Sequence, residues 1–353
     1  VLGLLRFFQV LLFAAQNALA IMPSFPAPRR MILSMSLSVT LVFFSVTGMG
    51  QLDYGKYHEG IRACEQLIAE RQFQQAVAKL DSLFTQYDFI FLRDVMLAAE
   101  LSAYLQEEAQ VYRFLRLGMR NGWTLKNIKN SGLLGTYTNG PAWDDAVSAY
   151  DSLHQAYEDG LDHVLRKEVR GMYRRDQWMA MQALFRIGDK QQEEYGEQQF
   201  APHSEKQMAL LHGMLLNQGY PGEQLIGNSW WLSTVLSHHN SISKAYLERD
   251  VLYPYLRPKL LEAIEKGQLH PNEFMLIEDW REAVRSDHGS TAYGFMGEVP
   301  DQKTMDAINR NRDTLGMRSV ALRNAMIQLE KEMGMDFQLP RGWGVEEIHI
   351  VGQ

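Results

Sequence analysis

Residues 71–84 read Arg-Gln-Phe-Gln-Gln-Ala-Val-Ala-Lys-Leu-Asp-Ser-Leu-Phe, and their spacing decides the fold class. Phe73, Ala76, Val77, Leu80, Leu83 and Phe84 recur three or four positions apart. That spacing lines one face of an α-helix and does not fit the alternation of a half-buried strand. With Leu67 ahead of it, the stretch predicts an antiparallel helix pair. A second pair follows, carried by Val95, Leu97, Ala98, Leu101 and Leu105, then by Val111, Phe114, Leu115 and Leu117. No proline interrupts residues 57–122, and Asn121-Gly122 supplies the stop. The expected class is all-α: helical hairpins, then a helical bundle.

The segment from Arg71 to Leu83 resembles the second half of a tetratricopeptide repeat. Ala109 follows Ala76 by 33 positions, close to that repeat's period of about 34. The resemblance is degenerate. Arg71 stands where a glycine is usual, and the second copy carries Gln106, Arg113 and Arg116 at positions expected to be apolar. Residues 51–122 therefore read as a tetratricopeptide-like packing or protein-interaction region, and two such hairpins need another element to cover their open face.

Residues 123–160 form a connector broken by Gly132, Gly135 and Gly140-Pro141, with one helix from Asp144 to Tyr157. The pattern then turns helical again over residues 161–337. A long helix is expected through about Gly188, and another from Ser204 to Asn217. Gly219-Tyr220-Pro221-Gly222 marks a turn. Asn228 or Ser229 is the expected cap of a helix striped by Leu232, Val235, Leu236 and His239. Pro258 and Pro271 suit first-turn positions of two further helices, and the last helix runs from Val320 to Met333. Residues 338–353 are a tail. Its Val345–Val351 portion alternates as a short lone strand would, or serves as an unordered or partner-bound end.

Ordered short motifs run through this second region: Asp176-Gln177, Gly219-Tyr220-Pro221 with Gly227, a Trp-rich helix ending in His238-His239, Asp279 with Arg281, Tyr293-Gly294, and Arg312 with Leu315-Gly316. Over residues 161–335 they resemble the bacterial family catalogued as domain of unknown function 6624. Carried over singly, the family's histidine falls on His239, or on His238 with a one-residue slip. Trp280 intervenes in the Asp-Arg pair, and Phe295 replaces a threonine after Tyr293-Gly294. Those two departures lie in the most polar motifs and put any activity of the family in doubt here.

Three readings of the polar set stand side by side. In a hydrolase, His239 would be the general base, Asp279 its orienting carboxylate, and Arg281 or Tyr293 an oxyanion partner. No Gly-x-Ser-x-Gly accompanies them, so water would attack directly. In a metal site, His238, Asp279, Asp287 and His288 have suitable ligand types, but their spacings match no metal motif and none is assigned. In a structural brace, His239 bonds Asp279 or a backbone carbonyl, and Asp279–Arg281 is satisfied by Asp176 or Arg312. Asp176, Gln177, His238, His288 and Arg312 remain binding candidates. No residue pattern names a cofactor.

Composition limits the alternatives. The chain has 353 residues, 46% hydrophobic and 22% charged, with net charge -7, which is globular and gives no bulk attraction for nucleic acid. The basic run Arg166–Arg175 alternates with Glu168 and Asp176 and reads as a solvated helix face. The lone cysteine, Cys64, reads as a small buried apolar residue. Residues 1–50 are a targeting region. Arg29-Arg30, apolar Ile32–Val46 and small residues before Gln51 have the parts of a secretory signal over residues 31–50. An uncleaved membrane anchor is the rival. The expected location is exported, periplasmic or extracellular. The expected role is binding or protein interaction in the cell envelope, with a protein partner engaged through the N-terminal hairpins and the membrane engaged only through the targeting segment.

Overall fold

The computed structural model describes residues 52–296, 299–341 and 347–350. The signal and anchor readings of residues 1–50 lie outside the described residues, as do both ends of the expected Val345–Val351 strand. Residues from Asp53 onward form one compact unit, and it is all-α. Among the described residues, no helix is long and apolar enough to cross a membrane.

Helices α1 (Tyr54–Ala69) and α2 (Phe73–Phe84) form the first hairpin, and α3 (Leu92–Tyr104) and α4 (Glu108–Arg120) the second. Asp53 caps α1 by accepting from the Lys56 amide. Both hairpin turns are built alike. Arg71 and Gln106 adopt φ of 60° and 59°, and the next amide reaches back five residues in each case, Gln72 N–H to Leu67 O at 2.8 Å and Glu107 N–H to Ser102 O at 3.0 Å. This is the helix ending that glycine usually makes, because an L side chain is strained in the left-handed region. The missing repeat glycine is thus replaced in sequence while its backbone geometry is kept.

The connector is more helical than its glycines suggest. It holds α5 (Leu125–Lys129), a 3-10 turn at Leu134–Tyr137, α6 (Pro141–Ser148) and α7 (Tyr150–Asp159). The single expected helix is therefore two, with Pro141 starting the first after Gly140 at φ 85°. Trp123, Ile128, Leu134, Trp143 and Ala146 bury themselves in the hairpin core.

The second region contains α8 (His163–Leu184), α9 (Asp189–Tyr195), a π turn at Gly196–Phe200, α10 (Ala201–Asn217), α11 (Glu223–Ile226) and α12 (Trp231–His239). It continues with α13 (Lys244–Arg249), α14 (Leu252–Glu265), α15 (Pro271–Arg285), α16 (Gln302–Thr314) and α17 (Val320–Met333). Helix α12 lies against α8, α10 and α15, so it is buried nearly all round, and His238 is buried with the stripe rather than off it. Neither Asn228 nor Ser229 caps it. Asn228 instead ties the second region to the first, its amide donating to the Tyr157 hydroxyl and its Nδ2 to Asn121 O. Pro258 sits inside α14, not in its first turn.

The cover that the hairpins need comes from the end of the chain. Met326, Ile327 and Leu329 of α17, with Met335, Phe337 and Leu339 behind them, complete the hairpin core. Among the described residues, the expected tail strand is represented by one parallel bridge, Val299 with Ile350. Pro300 follows Val299 and has no N–H to extend a ladder.

Because Gln106 bears left-handed strain at φ 59°, Gln106→Gly is expected to stabilise the protein by roughly 0.5–1 kcal/mol. Urea denaturation midpoints at constant m-value would show it, and an unchanged or lower midpoint would contradict the turn assignment.

Candidate functional site

Adjacent positions on a helix point about 100° apart, and the two histidines that end α12 use that divergence to reach different helices. His238 Nδ1 lies 2.5 Å from Asp176 Oδ2 on α8. His239 Nδ1 lies 2.9 Å from Ser204 Oγ on α10, and its Nε2 is 3.4 Å from Asp250 Oδ1. His239 thus stands between two partners, the Ser204 hydroxyl at Nδ1 and the Asp250 carboxylate facing Nε2. Asp250 is itself held by Arg281 Nη1 at 3.1 Å, which also reaches Asn240 Oδ1. Burial pushes the Asp250 carboxyl up, but His239 and Arg281 outweigh it and hold the group near about 2.

Asp279 does not meet His239. It stands two positions before Arg281 on α15, so the two side chains leave opposite sides of the helix. Arg281 takes the His239–Asp250 side, and Asp279 organises the loop after α15. Its Oδ1 accepts the Tyr293 amide at 2.5 Å, and Oδ2 accepts the Phe295 and Met296 amides at 2.5 and 3.2 Å. Burial pushes Asp279 up to about 6 against the pull of these amides. Arg312 completes the loop from α16, with Nε donating to Tyr293 O at 2.7 Å and Nη1 to Arg318 O at 3.1 Å. Desolvation lowers it to about 9.

Among the sequence candidates, the structure thus joins Asp176 with His238, His239 with Arg281 through Asp250, and Asp279 with Tyr293 and Arg312. Gln177 is half-buried beside Asp176. His288 closes the end of α15, its amide donating to Ala283 O, and Asp287 pairs with Lys244 at the surface. Among the described residues, no group of three or more His, Cys, Asp or Glu is placed to hold a metal ion. His239, Asp176 and Asp279 are fully buried, and Tyr293 nearly so.

An open cleft lies elsewhere, at the seam of the two regions. It encloses about 340 Å³ and is walled by Tyr87, Asp88, Arg120, Asn121, Tyr157 and Glu223, among others. Tyr157 is wedged between two glycines of positive φ, Gly122 and Gly227, where a Cβ would collide with its ring and its hydroxyl respectively. Glu223 reaches across from α11 to the start of α3, accepting the Leu92 amide at 2.7 Å. Burial pushes its carboxyl up to about 8.

None of these cleft residues is a site candidate in the sequence, where Asn121 reads as a helix stop and Tyr157 as a helix end. Ser204 was legible as a polar residue on the α10 stripe with Met208 and Leu211, whereas Asp250 and Glu223 follow no periodicity. No family model matches the chain, and neither curated proteins nor solved structures yield a match.

A carboxyl raised from 4.5 to about 8 on folding favours the folded state fully below its unfolded value, and that stability is lost as pH rises through about 8. Glu223→Gln keeps the acceptor for Leu92 and removes the titration. The variant is expected to melt close to the parent at pH 5 and above it at pH 9. Parallel Tm–pH curves would contradict the assignment.

Proposed function

We propose that this protein is an exported binding protein of the bacterial cell envelope, with the seam cleft as its ligand site and the histidine–carboxylate sets as braces for the surrounding helices. One observation carries the reading: the candidate base and its partners are closed off inside the bundle, while the open cavity presents aromatic walls and both signs of charge at Asp88 and Arg120. Such a lining suits a small polar molecule with one apolar face. A partner protein gripping the hairpin core is less well supported, since α17 already covers it.

Export is supported by the secretory-signal pattern of residues 31–50 and by the position of the first cap. Asp53 begins α1 two residues beyond the proposed cleavage before Gln51, so processing there spares the fold. Membership of the family of domain of unknown function 6624 is supported by the way its motif positions meet. Asp176 contacts His238, and both Asp279 and Arg312 grip the backbone of Tyr293.

The Ser204–His239–Asp250 chain favours a second reading, a hydrolase. The order of ring contacts is chemically adequate for proton transfer, but Ser204 and His239 have no exposed surface. Covalent labelling of Ser204 by a fluorophosphonate would promote that reading over the first.

Protein recovered from the exported fraction, beginning at Gln51, is expected to gain thermal stability with at least one small charged metabolite. The gain should approach about 2.7 kcal/mol at a ligand concentration a hundredfold above Kd. Arg120→Glu combined with Asp88→Lys should abolish that shift without lowering the unliganded Tm. A shift indifferent to both substitutions would remove the cleft as the site.

A further inference from the structure

Helix α8 carries two faces with opposite fates. Leu165, Val169, Met172, Asp176 and Ala180 are buried. The opposite face begins with Val164, Lys167 and Glu168, continues through Arg174 and Arg175, and ends with Trp178, Met181 and Phe185, all exposed. Its last turns are the reverse of a solvated surface: Trp178 is 60% exposed, Phe185 75% and Ile187, just past the helix, 87%. A contiguous set of large apolar side chains this open marks an interaction surface.

The charges beside it select the occupant. In sequence, Asp176 lies within the basic run and would offset it. In the fold it points inward to His238 at 2.5 Å, so the outer face keeps Lys167, Arg170, Arg174 and Arg175 against Glu168 alone. On neighbouring α9, Lys190 and Glu194 lie 3.9 Å apart, Glu193 is exposed, and Arg186 stacks over the Tyr195 ring. A chain of net charge -7 has therefore gathered cations one to three turns behind an aromatic and aliphatic tip. Lys and Arg on a helix flank with Trp and Phe projecting beyond them is the arrangement that binds a bilayer surface, with the apolar tip at acyl depth and the cations among headgroups.

We propose that this face of α8, from Lys167 to Ile187, docks onto an anionic lipid surface. Insertion by about 5–10 Å suffices to bury Trp178, Phe185 and Ile187, and none of these residues lines the cleft. The docking therefore stands whether or not the cleft binds a ligand.

The test uses the full chain with vesicles of brominated phosphatidylglycerol or brominated phosphatidylcholine, reading tryptophan quenching. Residues 1–50 contain no tryptophan, so insertion of the targeting segment does not itself produce the signal. Quenching by phosphatidylglycerol vesicles is expected in the parent and should be lost in Trp178→Phe. Arg174→Glu with Arg175→Glu should raise the lipid concentration for half-maximal quenching by at least about tenfold. The milder Arg174→Gln with Arg175→Gln keeps the test valid if the reversal impairs folding. Equal quenching in Trp178→Phe, or equal quenching by both lipids with no effect of the arginine changes, would overturn the proposal. So would a concentration-dependent dimer that Trp178→Glu disrupts in protein showing no vesicle binding, which would make the face a contact between copies of the chain.

Discussion

The buried ion pair between Glu65 and Arg318 ties together parts of the chain that lie 253 positions apart. Arg318 Nε donates to Glu65 Oε2 at 2.7 Å, and a second guanidinium nitrogen engages Oε1. A bidentate guanidinium–carboxylate contact fixes orientation as well as distance. Glu65 is on the inner face of α1, so Arg318 has to enter the interior just before α17 starts. Gly316 makes the approach feasible, since it lies against the His58 backbone at φ 66° where a Cβ would crowd it. Helix α17 is thereby delivered to the open side of the hairpins. Pairs of this kind contribute little net stability once desolvation is counted, but leaving either charge alone costs about 3–5 kcal/mol. Their effect is to disfavour every arrangement in which α17 lies elsewhere.

A second polar set acts beside it. Tyr57 donates to Asp94 at 2.8 Å, Arg93 lies 3.5 Å from the other Asp94 oxygen, and Arg93 also contacts His270 and Gln338 O. Desolvation drives His58 down to about 3 and lowers His270 well below the usual imidazole range, so both enter the fold neutral. The seam between the regions is therefore polar, fully enclosed and geometrically demanding, with the cleft opening at its edge where Glu223 reaches Leu92.

Helical class and hairpin pairing were legible because they depend on local periodicity. Phe73, Ala76, Leu80 and Leu83 had to share a face, and they are all buried. Turn geometry was half legible: the repeat pattern marked Arg71 and Gln106 as irregular, but only the backbone shows that both keep the glycine conformation. What stayed hidden is long-range. The histidine motif gave no sign that Asp250, rather than Asp279, would face His239, because that choice depends on how α15 is rotated against α12. Likewise, the Val320–Met333 period gave the helix but not its destination in the hairpin core, which is set by Glu65.

The same long-range logic explains why α8 divides so sharply. Asp176 is a polar group in the core, and its burial is tolerable only because His238 is placed to meet it. That contact fixes the rotation of α8 about its own axis. With Asp176 inward, positions three and four residues away on the same face go inward too, and Trp178, at two residues distance, is driven to the opposite side. Trp178, Met181 and Phe185 are therefore not exposed for lack of a better rotation. Turning the helix to hide them would bring Arg174 and Arg175 inward and strand Asp176 outside, away from His238. The buried brace and the apolar outer tip are two consequences of one orientation, and Asp176 and His238, which read as binding candidates in sequence, act here by deciding which surface the protein presents.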